Sequence, residues 1–273
     1  NASGNAVELG GIWNVSWSHL TVTGNTIFNL YNNDSSNTYS FTYGMKNTWY
    51  GYYNVRNNII GNITTTSKRQ HAQPNQYIIT GILHEAAYTA TSDTIFICDN
   101  KVFGIYSLYN GSVNSYISGM YFVNYWYPNI TKISGNLFYN LSLEATGSDS
   151  RIIGIEFGSC SESNKWYVFN NVINLGKGVN KNCEIYGIYL NGQGKDSLFI
   201  NNNSVYIGGS AITPWNASTY CIRQVWDYFS PSTYKLVLMN NVFYNARSNP
   251  DPGNSAKHYA ITFWSSNMKI DYN

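Results

Sequence analysis

Two short motifs recur in step along this chain, and together they fix what it can fold into. The first reads TGNTIFN (Asn25), RNNIIGN (Asn58), CDNKVFG (Asn100), SGNLFYN (Asn136), FNNVINL (Asn171), NNNSVYI (Asn203) and MNNVFYN (Asn241), and an eighth begins at IDYN (Asn273). The second reads GGIWN (Gly11), YGMKN (Gly44), TGILH (Gly81), SGMYF (Gly119), IGIEF (Gly154), YGIYL (Gly187), YCIRQ (Cys221) and YAITF (Ala260). Both keep a period of about 35 residues, within the range of stacked repeats. A β-rich sequence without a repeat would not hold two independent motifs in phase.

Each period divides into three short β-rich runs. In the sixth they are Glu184 to Leu190, Asp196 to Asn201 and Ser204 to Gly209. The connection carrying the Asn is tight in every repeat, whereas the stretch after the third run varies most, as in residues 30–40 and 245–256. Three strands per turn with one tight bend predict an all-β fold: a right-handed parallel β-helix solenoid of about eight coils, one domain over residues 1–273. Parallel strands of successive coils then stack about 4.8 Å apart, and such a solenoid lengthens without changing its cross-section.

The chain has 39 Asn among its 273 residues, and the stacked bend explains them. The same turn position recurs in every coil. Asn tolerates the left-handed backbone a bend demands, and its amide both donates and accepts. Asn25, Asn58, Asn100, Asn136, Asn171, Asn203 and Asn241 are therefore predicted to form a structural ladder. By strand alternation, Ile82, Met120, Ile155, Ile188, Ile222 and Ile261 form one inward stack.

This pattern resembles the pectate-lyase-like right-handed β-helix superfamily, whose tight turn carries an Asn ladder. Residues 198–273, with NNNSVYIGGSA, NNVFYNARSN, KHYAITF and DYN, are similar to repeats in very large secreted bacterial cell-surface proteins. The resemblance implies a structural or adhesive region and no particular catalytic activity.

Chemistry is sparse. Enzymes of this fold carry acids and bases on outward positions of adjacent coils. The outward column here reads Trp13, Lys46, Leu83, Tyr121, Glu156, Tyr189, Arg223 and Thr262, with a single acid. Cys98, Cys160, Cys183 and Cys221 have no metal-site spacing, and neither do His19, His71, His84 and His258. Bridged cysteines and buried free thiols both remain open. GKGVNKN (Gly176 to Asn182) lacks the spacing of a phosphate loop and reads as a solvated bend. No cofactor is expected. Lys and Arg are scattered, which argues against nucleic acid, and no apolar run reaches the ~18 residues of a membrane span.

Tyr121, Glu156, Tyr189 and Arg223 are expected side by side on one outer face, where aromatic and charged groups would bind sugar or anchor a protein partner. The Gly column beside them suggests close approach by a covering loop or a neighbouring chain. Only 11% of residues are charged, and with abundant Tyr, Asn, Ser and Thr this suits a secreted or cell-surface protein. The expectation is a structural module of an extracellular fibre, sheath or surface protein, not an enzyme. Both motifs still run where the sequence stops, so it is expected to continue in a longer chain or self-associate along the axis. The alternatives are a carbohydrate-binding or adhesive module, and a polysaccharide lyase or hydrolase by fold analogy alone.

Overall fold

A computed structural model describes residues 7–15, 20–33, 40–48, 53–67, 79–86, 94–124, 130–158, 164–191, 197–210, 216–225, 235–249, 255–263 and 268–272. The described residues form three all-parallel sheets wound as a solenoid, with no helix among them. The first sheet stacks Val7–Val15, Ser40–Thr48, Ile79–Ala86, Tyr116–Asn124, Arg151–Phe157, Glu184–Leu190, Thr219–Gln224 and His258–Thr262, in chain order. The second stacks Leu20–Thr23, Tyr53–Arg56, Thr94–Cys98, Ile130–Ser134, Lys165–Phe169, Ser197–Asn201, Lys235–Met239 and Met268–Asp271. The third stacks Thr26–Asn32, Ile59–Thr65, Lys101–Ser107, Leu137–Leu143, Val172–Leu175, Ser204–Ile207 and Val242–Asn245.

Every strand pairs with the strand three places along, which is what a three-strand period requires. The register is set by the core. Met45, Ile82, Met120, Ile155, Ile188 and Ile222 share one column of the first sheet. All six are fully buried, and Ile261 packs against them half-buried.

Burial is graded along the axis, which corrects the expected count of about eight coils. Full packing holds for about five turns, those whose ladder residues Asn58, Asn100, Asn136, Asn171 and Asn203 are at most 1% exposed. Strands at both ends are more open, with Trp13, Val15, Val242, Tyr244 and Tyr259 exposed.

The ladder runs through six consecutive side-chain bonds. The amide of Asn25 donates to Asn58 Oδ1, Asn58 to Asn100, Asn100 to Asn136, Asn136 to Asn171, Asn171 to Asn203 and Asn203 to Asn241, all at 2.9–3.0 Å. Each Oδ1 also accepts the backbone N–H of the preceding ladder residue. From Asn58 onward, each Nδ2 also bonds a carbonyl of the second sheet one turn back, as Asn171 does to Ile133 O at 2.9 Å. Two amide protons and two acceptor sites are thereby used, so the buried amide leaves nothing unpaired. Asn273 lies outside the described residues.

The left-handed bend belongs to the neighbouring residue, which corrects the sequence reading. Asn57, Asp99, Asn170, Asn202, Asn240 and Tyr272 have φ between 51° and 58°, and Gly24 and Gly135 have 69° and 66°. All eight directly precede a ladder position. One residue turns the chain, and the next joins the coils.

The Gly column is also explained within the chain rather than by a covering loop or a second chain. A Cβ on Gly44 would stand 2.3 Å from Ile60 Cγ2 and 2.6 Å from the Gly81 carbonyl, and one on Gly154 would stand 2.6 Å from both Ile173 Cγ2 and the Gly187 carbonyl. The first sheet thus presses its backbone against the β-branched column of the third.

Candidate functional site

The outer face of the first sheet brings the expected patch into register, but closes it. Tyr121, Glu156, Tyr189 and Arg223 are cross-strand neighbours in successive turns. Tyr121, Glu156 and Tyr189 are only 7%, 1% and 4% exposed. The two tyrosines belong to a second apolar cluster with Tyr43, Leu83, Val123, Ile153, Tyr186 and Tyr220, and Glu156 is buried in register between them. The expectation of an open sugar- or partner-binding platform here is therefore corrected. Alternation gave the correct face but said nothing about what covers it.

Glu156 accepts a hydrogen bond from Asn191 Nδ2 at 3.1 Å, and its Oε2 has no partner among the described residues. Burial pushes its carboxyl up to about 8, against the Asn191 bond, which pulls it down. It is a neutral acid near neutral pH, sealed from solvent. Arg223 turns away from Glu156. Its guanidinium stacks 4.4 Å from the Tyr220 ring centroid and donates to Tyr186 Oη at 3.0 Å. It also lies 3.5 Å from Glu184, which pairs with Arg151 Nε at 3.1 Å. Glu184 is thus held between two guanidiniums. Tyr186, Tyr220 and Tyr259 stack at 5.3 Å per turn beside it, nearly parallel. Burial, with Glu184 adding to it, raises the Tyr186 phenol well above its ordinary range. Of these two carboxylates, Glu156 is sealed and Glu184 is held by guanidiniums.

The remaining expected chemistry is scattered. His84 is fully buried, stacked 4.3 Å from Phe122, and burial lowers it to about 3. His258 bonds Thr219 and Asn249. His19 and His71 lie outside the described residues. Cys98, Cys183 and Cys221 are buried free thiols, and Cys160 lies outside the described residues. Among the described residues, no group of three His, Cys, Asp or Glu side chains is placed to hold a metal ion.

Among the described residues an open cleft lies on the third sheet, where none was expected. The residue three places after each ladder Asn forms an outward column: Phe28, Gly61, Phe103, Tyr139, Asn174, Tyr206 and Tyr244. Phe103 covers the Gly61 gap, since a Cβ there would lie 2.8 Å from its ring, and reaches Phe28 at 5.4 Å. Phe103 and Tyr139 stack at 5.0 Å and 4°. At Asn174 the row is broken, and a cleft of about 500 Å³ opens, lined by Tyr139, Asn140, Leu141, Asn174 and Gly176–Gly178. This column was readable from the sequence as F, G, F, Y, N, Y, Y at ladder position plus three. It contains no acid or histidine to mark it as a site, and GKGVNKN, which reads as a solvated bend, supplies the cleft's rim.

No family model, no curated protein and no solved structure matches the chain.

Proposed function

We propose that this chain is a structural module, a stiff β-solenoid segment of an extracellular fibre, sheath or cell-surface protein, joined along its axis to further coils. One observation carries the reading. The ladder is saturated through its interior, yet at Asn25 Oδ1 no donor is found among the described residues, and the outer edge of Val7–Val15 pairs with no described strand. A further coil would supply both sets of bonds, whether from the same chain or from a second copy. An unpaired strand edge is a ready template for pairing with another strand.

The resemblance to right-handed β-helices of the pectate-lyase-like kind, and to secreted repeat regions, supports the same reading. So does a first-sheet face in which Glu184 is tied to Arg151 and Arg223. Single-molecule pulling along the axis is the test. A structural segment yields turn by turn, releasing about 35 residues per event, at forces that hold an assembly together. Extension as a loose coil at forces too small to resolve would overturn the reading.

A further inference from the structure

We infer that the cleft beside Tyr139 is a binding site for one pyranose ring of a glycan, in the place of the ring that the third-sheet stack lacks at Asn174. Along this face Phe103 and Tyr139 stack with parallel planes, one per turn. The next position is the short, exposed Asn174, so the outer face of the Tyr139 ring meets a cleft instead of a ring. The vacancy lies one strand beyond Tyr139 and has room for a ring and its substituents. Its volume, about 500 Å³, is that of a small-ligand cleft.

The polar groups around it select among rings. Asn174 contributes an amide at the level of the missing ring, and Asn140, whose Nδ2 donates to Tyr106 Oη, leaves its Oδ1 as an acceptor at the side. Lys177 stands at the rim, exposed, between Gly176 and Gly178, whose φ values are 85° and 75°. Neither the Asn174 amide nor the Lys177 ammonium has a hydrogen-bond or ion-pair partner among the described residues. An aromatic side chain from a partner protein would fill the stack but leave these donors and acceptors unused. A pyranose offers both surfaces. Its axial C–H face packs on tyrosine, and its equatorial hydroxyls project in the ring plane, where the Asn174 amide can donate and accept. Lys177 would donate to a ring substituent. Among the described residues its lining carries amides and an ammonium rather than the paired carboxylates of glycoside cleavage, which suits holding a sugar.

This inference is independent of the axial joining argued above, since it concerns a lateral face. The test is titration of the whole protein with methyl β-glucoside, methyl N-acetyl-β-glucosaminide and methyl β-glucuronide, followed by saturation-transfer NMR and calorimetry. At least one should bind with a Kd of about 1 mM or tighter. Asn174→Tyr, which supplies the missing ring from the chain itself, should weaken binding at least about tenfold with the melting temperature unchanged. Tyr139→Ala should weaken it similarly. Tyr244→Ala, in the same column but outside the cleft, should leave it intact. The inference is overturned if none of the three sugars binds, if Asn174→Tyr binds as the parent does, or if N-acetyl-tyrosinamide binds at this cleft in preference to every sugar.

Discussion

Replacing Asn171 by Leu removes the middle rung of the ladder, and the hydrogen bonds around it set the size of the effect. Asn171 Oδ1 accepts both the backbone N–H and the side-chain amide of Asn136, each at 3.0 Å. Its own Nδ2 serves Ile133 O and Asn203 Oδ1. Leucine has a similar volume but neither function. Two buried donors on Asn136 are left without their acceptor, and Asn203 Oδ1 keeps only the backbone N–H of residue 171. A buried donor without an acceptor costs about 1–3 kcal/mol, so the two together predict about 2–6 kcal/mol. The loss is local, because each turn contacts mainly its neighbours. Hydrogen exchange therefore reads it better than a global melt. The Asn136 amide N–H is bonded to a side chain rather than to a strand, and its protection should fall tenfold for every 1.4 kcal/mol lost. Protection of the Asn58 N–H, held by Asn100 two turns away, should hold. The control is Asn170→Gly, which replaces the exposed left-handed residue next door (φ 56°) with one that adopts that backbone freely; it should change stability by less than about 1 kcal/mol. Unchanged protection of Asn136 in Asn171→Leu, or an equal effect in Asn170→Gly, would refute the division of labour between the two residues.

Gly154→Ala should destabilise by about 1–3 kcal/mol through overpacking against Ile173 and the Gly187 carbonyl, whereas Gly10→Ala, whose nearest neighbour is 4.0 Å away, should be close to neutral in urea denaturation. Ile188→Ala should cost about 2–5 kcal/mol as a core truncation in the same assay. Glu156 is neutral in the folded state up to about pH 8, while unfolded it ionises near 4.5. Stability should thus fall as pH rises from about 4.5 to 8, by up to ~1.4 kcal/mol per unit from this group, and Glu156→Gln should abolish that slope in pH-dependent melts. His84, held neutral down to about 3, gives the opposite slope: stability falls as pH drops from about 6.5 towards 3, and His84→Phe should remove that loss.

The fold was legible because its determinants are periodic. Asn25 to Asn241 and Gly11 to Gly187 each occupy a position that every coil repeats, so one sequence shows the pattern seven or six times over. The roles within a bend were less legible. Asn170 and Asn171 are the same residue type, and only the backbone tells the turning residue from the rung. The first-sheet patch was misread for a different reason. Alternation places Tyr121, Glu156 and Tyr189 outward, but it does not show that the outward side chains of the sheet, Tyr43, Leu83, Tyr186 and Tyr220 among them, pack into a second apolar cluster. The third-sheet cleft is defined by an interruption, Asn174 in a row of rings, and an interruption stands out only once the row itself has been aligned.

Axial joining is tested most directly by imaging the purified protein by cryo-electron microscopy over a range of concentrations. The account predicts rods that lengthen with concentration, of one constant width, with a continuous axial repeat of about 4.8 Å across the junctions between copies. Single short particles at every concentration, with the edge of Val7–Val15 covered by the chain's own residues, would contradict it.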